Sequence, residues 1–164
     1  MKTLYLMRHA KSAWDDLQQP DVERPLLETG LKRTRRVIEF LQKKDTELDL
    51  ILTSHAVRAI ETARIIAHAF SLDEQHFKIE KGIYHSNADD WMDFFYDIPE
   101  DAHRLLMVGH NPAITNFANH FLKEKIDYLT TSGIIVIRFK VNEWSEIAFS
   151  NARKVFVVAP KDFK

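Results

Sequence analysis

The sequence predicts an α/β protein, a three-layer α/β/α arrangement around a mostly parallel mixed sheet, and three observations carry that expectation. Short apolar runs alternate with segments of helical periodicity, the pattern of βαβ units rather than of two separate domains. Three of those runs stop abruptly on polar residues: Leu4-Tyr5-Leu6-Met7 on Arg8-His9, Leu50-Ile51-Leu52-Thr53 on Ser54, and Leu105-Leu106-Met107-Val108 on Gly109-His110-Asn111-Pro112. Near the end, two strand-like runs flank Asn142-Glu143 as the arms of an antiparallel hairpin would, which makes the sheet mixed.

Lys2 to Met7 reads as a buried strand, followed by a polar loop over residues 8 to 27 that holds Pro20 and Pro25. Thr29 is a plausible cap for a helix running to about Lys44, with Leu31, Val37, Ile38 and Leu41 at helical spacing. Leu48 to Thr53 is the second strand. Residues 55 to 70 form a helix, with Ser54 as its expected cap and Val57, Ile60, Ala63, Ala67 and Phe70 on one broad face. Phe77 to Ile79 is a short strand. A helix carrying Trp91, Phe94, Phe95 and Ile98 follows, stopped by Pro99, and His103 to Val108 is the next strand. Asn111 as cap and Pro112 at the first helical position begin a helix whose Ile114, Phe117, Ala118, Phe121 and Leu122 form an i, i+3, i+4, i+7, i+8 stripe. Gly133 to Val141 and Trp144 to Ala152 are the expected hairpin arms; the last dozen residues receive no element.

Composition narrows the function classes. At 164 residues and 45% hydrophobic, the chain suits a single domain over 1–164 with a substantial core. A net charge of −1, from 23 basic and 24 acidic residues, supplies no long-range field for nucleic acid or an anionic membrane, so neither is expected as a partner. The cluster Lys32, Arg33, Arg35 and Arg36 reads as the solvated face of an amphipathic helix. No cysteine is present, which excludes thiolate nucleophiles, thiolate zinc sites and disulfides together. No HExxH, HxHxD or Cys-His spacing specifies a metal, and neither metal nor cofactor is expected. A strand-like start and the lack of 18 consecutive apolar residues lead to the expectation of a soluble, cytoplasmic protein.

If the three interrupted runs are parallel strands, their ends lie side by side, where ligands bind in open α/β sheets. Two His and two Arg would then converge. Arg8-His9-Ala10-Lys11-Ser12 suits a loop whose backbone amides and guanidinium receive an oxyanion. Arg58, in the first turn or so of a helix, stands where the dipole already favours an anion. Arg58 could also pair with Glu61 along the same helix face. Gly109-His110 places an imidazole at a strand tip, where a purely structural histidine is the other reading.

The combination resembles the histidine phosphatase superfamily, the phosphoglycerate mutase-like fold, over roughly residues 1 to 150. Arg8-His9-Ala10, Ser54 with Arg58 and Glu61-Thr62-Ala63, and Gly109-His110 match the motifs of that family in its chain order. Trp14-Asp15-Asp16, Arg24-Pro25-Leu26 and Gly-His-Asn-Pro look most like its small SixA phosphohistidine phosphatase branch. The resemblance implies that His9 attacks phosphorus to form a phosphohistidine that water then hydrolyses. It implies that Arg8, Arg58 and His110 hold the phosphoryl oxygens, with His110 cationic once phosphate is bound, and that the second ring nitrogen of His9 donates to a backbone carbonyl. Nearby Arg8 and Arg58 would help to keep His9 unprotonated.

Other positions are less determined. Candidates for a general acid are Glu80, His85, Asp89 and Asp90, and the SixA-like branch manages without the usual donor. Ser12 is a phosphate-binding candidate, or a turn hydroxyl. Trp14 either lines the substrate mouth or staples its own loop. Asp15 stands where many family members carry a phosphate-contacting Asn, a departure that disfavours a mutase. The expected substrate is a phosphohistidine-bearing protein, since 164 residues leave little room for a cap over the site. A small phosphorylated molecule is the alternative, and a non-catalytic module that binds phosphorylated partners is a further one. Oligomeric state is not legible.

Overall fold

The computed structural model describes residues 1–14 and 16–163, so Asp15, whose departure from the family's Asn disfavours a mutase, lies outside the described residues. Among the described residues six strands form one sheet: β1 (Lys2–Arg8), β2 (Leu50–Thr53), β3 (Phe77–Ile79), β4 (Arg104–Gly109), β5 (Ile134–Phe139) and β6 (Ala152–Val158). Their spatial order is β3-β2-β4-β1-β5-β6. The first four are mutually parallel, while β5 runs antiparallel to both β1 and β6. The register decides where chemistry can gather: Arg8 lies opposite Gly109, and Thr53 opposite Val108, so the polar tips of β1, β2 and β4 end in one row.

The central strands are apolar on both faces because both faces are covered, the usual reason such runs lack alternation. On one side Leu4, Leu6, Leu52, Leu105 and Met107 meet Trp91, Phe95, Phe117 and Trp144. On the other, Tyr5, Met7, Ile51, Leu106 and Val108 meet Val37, Ile38 and Leu41 of helix α1 (Glu28–Lys43) and Ala59, Ala63 and Ile66 of helix α2 (Val57–Ala69). The result is the three-layer α/β/α arrangement expected. Two further helices are α3 (Gly82–His85) and α4 (Ala113–Asn119). No helix among the described residues is long and apolar enough to cross a membrane.

Several local expectations are corrected. Thr29 lies inside α1, which begins from Leu27 with no side-chain cap. Ser54 does not cap α2: its oxygen accepts from Ala56 N, two residues on, and Ala56 is the cap residue. The Trp91–Phe95 segment is a 3-10 helix, Ala88–Asp97, in which Trp91 and Phe95 still reach the core. Pro112 precedes α4 after a cis Asn111–Pro112 bond. Asn111 instead ties two segments together, accepting from Thr115 Oγ1 at 2.6 Å and donating to Leu129 O at 2.8 Å. Helix α4 stops at Asn119, and Phe121 and Leu122 reach the core from the turn beyond it.

The hairpin expectation was displaced by eight residues. Two 3-10 turns, Trp144–Glu146 and Phe149–Asn151, take the place of the expected arm, and the second arm is β6, which starts at Ala152 and runs on into the last dozen residues. Trp144 explains the shift. It is buried, packs 5.8 Å from Phe95 and donates from Nε1 to Ala102 O at 2.6 Å, so the chain must turn inward before it can pair with β5.

Candidate active site

His9 sits just past β1, 7% exposed, with its backbone amide donating to Gly109 O on neighbouring β4. The loop that follows is pressed onto the start of α1: a Cβ at Gly30 would stand 2.4 Å from Lys11 O, so only glycine admits this approach. The loop is also held from α2, where Thr62 Oγ1 accepts from Ala10 N at 2.9 Å.

His9 Nδ1 lies 2.7 Å from Ala10 O. A carbonyl only accepts, so Nδ1 carries the proton and Nε2 keeps its lone pair. That lone pair faces Arg58, whose Nε is 3.4 Å away. Burial holds the His9 pKa down, to about 4; the Ala10 carbonyl opposes this, and the charges of Arg58, Arg8 and Arg24 add to it. Burial, more than the neighbouring charges, keeps this imidazole neutral at pH 7.

His110, past the tip of β4, has its ring centroid 5.0 Å from that of His9. Its Nε2 is 2.7 Å from Ser54 Oγ, at the tip of β2, and its Nδ1 is buried without a partner. Burial lowers its pKa to about 3, with His9 and Arg58 acting in the same direction and Asp21 against. Arg8 Nη1 donates to Leu129 O at 3.3 Å, while its buried Nε has no partner. Arg8 Nε and His110 Nδ1 are thus buried polar atoms without a partner, close to the His9 imidazole, and such atoms call for an explanation.

Arg58, 5% exposed, does not pair with Glu61. Its Nη1 donates to the backbone O of Asp21 at 2.7 Å and its Nη2 to Asp21 Oδ2 at 3.0 Å, while Glu61 Oε1 accepts from Leu26 N. The structure thus adds to the site an aspartate that the motifs do not single out. Asp21 Oδ1 also accepts from Arg24 Nε at 3.0 Å, and Oδ2 from the Tyr84 hydroxyl at 2.7 Å. Burial pushes the Asp21 pKa up, but hydrogen bonds from Tyr84, Arg58 and Arg24 outweigh it and bring it to about 2. A partial sequence signal for it is the i, i+3 spacing of Asp21 and Arg24 in the loop over residues 8 to 27.

Tyr84, on α3, stands edge-on to His110 at 5.4 Å and to His55 and His85 at 5.1 and 5.2 Å. His85 therefore meets His110 through Tyr84. Glu80 accepts from Gly82 N, and Asp89 is exposed and 3.6 Å from His120. Among the described residues no hydrogen bond, ion pair or ring contact joins Glu80, Asp89 or Asp90 to His9, Arg58 or His110. Ser12 is buried, its Oγ accepting from Arg24 Nη1 at 3.0 Å. Trp14 is 72% exposed and lies over the Arg24 guanidinium, 3.5 Å from its ring centroid, a cation–π contact that fastens its own loop.

The chain is similar to known proteins in sequence and in fold. Residues 4–102 match the profile of the histidine phosphatase superfamily, branch 1. An uncharacterised protein of Picosynechococcus sp. is 30% identical over 119 residues, 70% of each chain. The 2,3-bisphosphoglycerate-dependent phosphoglycerate mutase of Bifidobacterium longum is 34% identical over 92 residues, which make up 48% of this chain but 37% of that enzyme, so the chain spans well under two thirds of its length. Among solved structures, a candidate phosphohistidine phosphatase SixA from Agrobacterium tumefaciens superposes with a TM-score of 0.77 at 22% identity, over 97% of this chain and 99% of that one. The protein histidine phosphatase SixA complexed with tungstate does so with a TM-score of 0.76 at 19% identity, over 99% of both. At these identities the likeness to SixA is one of fold. The profile match across more than half of the chain, with the Picosynechococcus relative aligned over most of its own length, shows that the chain belongs to the histidine phosphatase superfamily, branch 1.

Proposed function

We propose that the chain, as one domain over 1–164, is a phosphatase whose nucleophile is His9 Nε2. The observation that carries this is the neutral, tautomer-fixed imidazole with its lone pair turned toward the Arg58 guanidinium. A phosphoryl group held by Arg58, Arg8 and His110 would lie within reach of that lone pair. The P–Nε2 bond forms as the bond to the leaving group breaks, and water then cleaves P–Nε2 to release inorganic phosphate and free His9. Phosphoryl transfer depends chiefly on in-line positioning and charge stabilisation, which three cationic or proton-donating groups around one nitrogen supply. His110 completes the set as a donor once a phosphate dianion offsets the burial that keeps it neutral. Ser12 has its oxygen engaged by Arg24 and retains a hydroxyl proton for a phosphate oxygen. No step in this scheme uses a metal or cofactor.

The substrate class we favour is phosphohistidine in a protein. The fold likeness to the SixA structures supports it, as does the lack of contact between the acidic candidates and His9, because an imidazole leaving group that is already protonated needs little help from a general acid. The test is turnover, with EDTA present, of a phosphohistidine-bearing protein and of an aryl phosphate by the wild type and by His9→Ala. Loss of both activities in the variant, with the phosphohistidine protein strongly preferred by the wild type, is the expected result. Preference for the aryl phosphate would point to a small-molecule phosphomonoesterase, and phosphate binding with no turnover to a non-catalytic binding module.

A further inference from the structure

The structure assigns Asp21 as the positioning residue that aims Arg58 at the phosphoryl group; the assignment rests on the function proposed above. Arginine reaches its target on a long, flexible stem, and its bidentate use depends on the plane of the guanidinium being set in advance. Asp21 sets it twice over. Its backbone carbonyl takes Nη1 at 2.7 Å and its carboxylate takes Nη2 at 3.0 Å, so the outer end of the group is gripped by one residue. Because the guanidinium is planar and rigid, fixing that end fixes the direction of the Nε–H, which lies 3.4 Å from His9 Nε2. Each Nη nitrogen keeps a second proton, so the grip leaves donors for an anion.

Asp21 is itself held from two other directions. Arg24 Nε donates to Oδ1 at 3.0 Å and the Tyr84 hydroxyl to Oδ2 at 2.7 Å. Arg24 is buried and further donates to Ser12 Oγ and Ala13 O, which anchors the Asp21 turn to the loop after His9. Tyr84 carries the same linkage to α3 and, through its ring, to His110. Nucleophile, guanidinium and second imidazole are thus registered to one carboxylate that touches neither the nucleophile nor the expected place of phosphorus. The rival role for an anion here, withholding Arg58 from phosphate, would have the carboxylate cover the Nε edge; it covers the opposite end.

The test compares wild type, Asp21→Ala, Asp21→Asn and Tyr84→Phe as full chains, measuring kcat and KM on an aryl phosphate and the binding of inorganic phosphate by calorimetry. Misaimed groups cost about 10²-fold in rate, so Asp21→Ala should lose about that in kcat with a smaller change in KM. Asp21→Asn, which keeps an oxygen for Nη2, should recover part of the loss, and Tyr84→Phe, which removes one of three donors to the carboxylate, should lose least. An Asp21→Ala enzyme with wild-type kcat, or with tighter phosphate binding, overturns the assignment. If Asp21→Ala does not fold, an unaltered kcat in both remaining variants does so equally. A wild type that turns over no phosphorylated substrate defeats the proposed function instead, and the phosphate-binding series then still decides whether Asp21 orients Arg58.

Discussion

Arg58 Nε stands 3.4 Å from His9 Nε2, so the guanidinium donor meets the imidazole at the one nitrogen that carries a lone pair. This is the distance at which a phosphoryl oxygen could take over the guanidinium while its phosphorus comes onto the imidazole. In the proposed reaction, binding and attack are organised around this one residue pair. The pair joins the residue after β1 to the first turn of α2.

Arg58→Lys keeps the charge and loses the fork. A lysine ammonium cannot hold both Asp21 acceptors and also present a proton to phosphate in the same geometry. The expected loss is about 10²–10³ in kcat, the scale for removing one donor from a preorganised anion site. Steady-state kinetics with an aryl phosphate measures it, and a variant within a few-fold of wild type would mean that Arg58 acts only as a point charge.

The two histidines should titrate abnormally. Their folded pKa values, about 4 for His9 and about 3 for His110, lie below the unfolded value near 6.5. Between those limits the unfolded chain binds protons that the folded chain does not, so stability is complete above about pH 6.5 and falls with pH toward 4 and then 3. The slope reaches up to about 1.4 kcal/mol per pH unit for each group. Proton NMR of the imidazole C–H signals reads the pKa values directly, and inorganic phosphate should raise that of His110. An ordinary His9 midpoint near 6.5 would contradict its burial.

Trp144→Ala should destabilise by about 3–5 kcal/mol, the cost of emptying a large aromatic site in a core. It also removes one of the two donors to the Ala102 carbonyl, leaving Lys2 Nζ at 3.2 Å, and loosens the turn that delivers β6 to the sheet edge. Denaturant melts would show a lower midpoint, whereas kcat should change little, because Trp144 packs under the face of the sheet away from α1 and α2.

The sequence made the sheet legible because its central strands are unbroken apolar runs, and it made the convergence of Arg8, His9, Arg58 and His110 legible because each stands at a strand tip or in the first turn of a helix. Asp21 was not legible. Its role depends on a loop folding back so that one carboxylate meets Arg58, Arg24 and Tyr84; apart from the i, i+3 pair with Arg24, these contacts span 37 and 63 residues. The end of the chain was misplaced for a related reason. Trp144 fits an alternating strand pattern as well as an inward-turned 3-10 segment, and only the position of Phe95 and Ala102 decides between them. Trp14 stacks on Arg24, a contact across ten residues that no local pattern announces.

Gly30→Ala separates helix propensity from the needs of the site. Inside a helix, alanine is favoured over glycine by about 1 kcal/mol, so propensity alone would have the change stabilise α1. The new methyl would stand 2.4 Å from Lys11 O and 3.3 Å from Ala10 Cβ, and the nearer obstacle is backbone, which cannot swing aside as a flexible side chain would. Lys11 O already accepts from Leu27 N at 3.0 Å, so displacing it also disturbs the entry to α1. The clash should reverse the propensity gain and leave a net loss of about 1–3 kcal/mol, the range for overpacking. Activity should fall with it, because the displaced segment contains Ala10, whose carbonyl holds His9 in the tautomer with a free Nε2. A thermal melt together with kcat decides the matter: a Gly30→Ala protein more stable than wild type, with kcat unchanged, would show that the loop after His9 yields without cost to the proposed nucleophile.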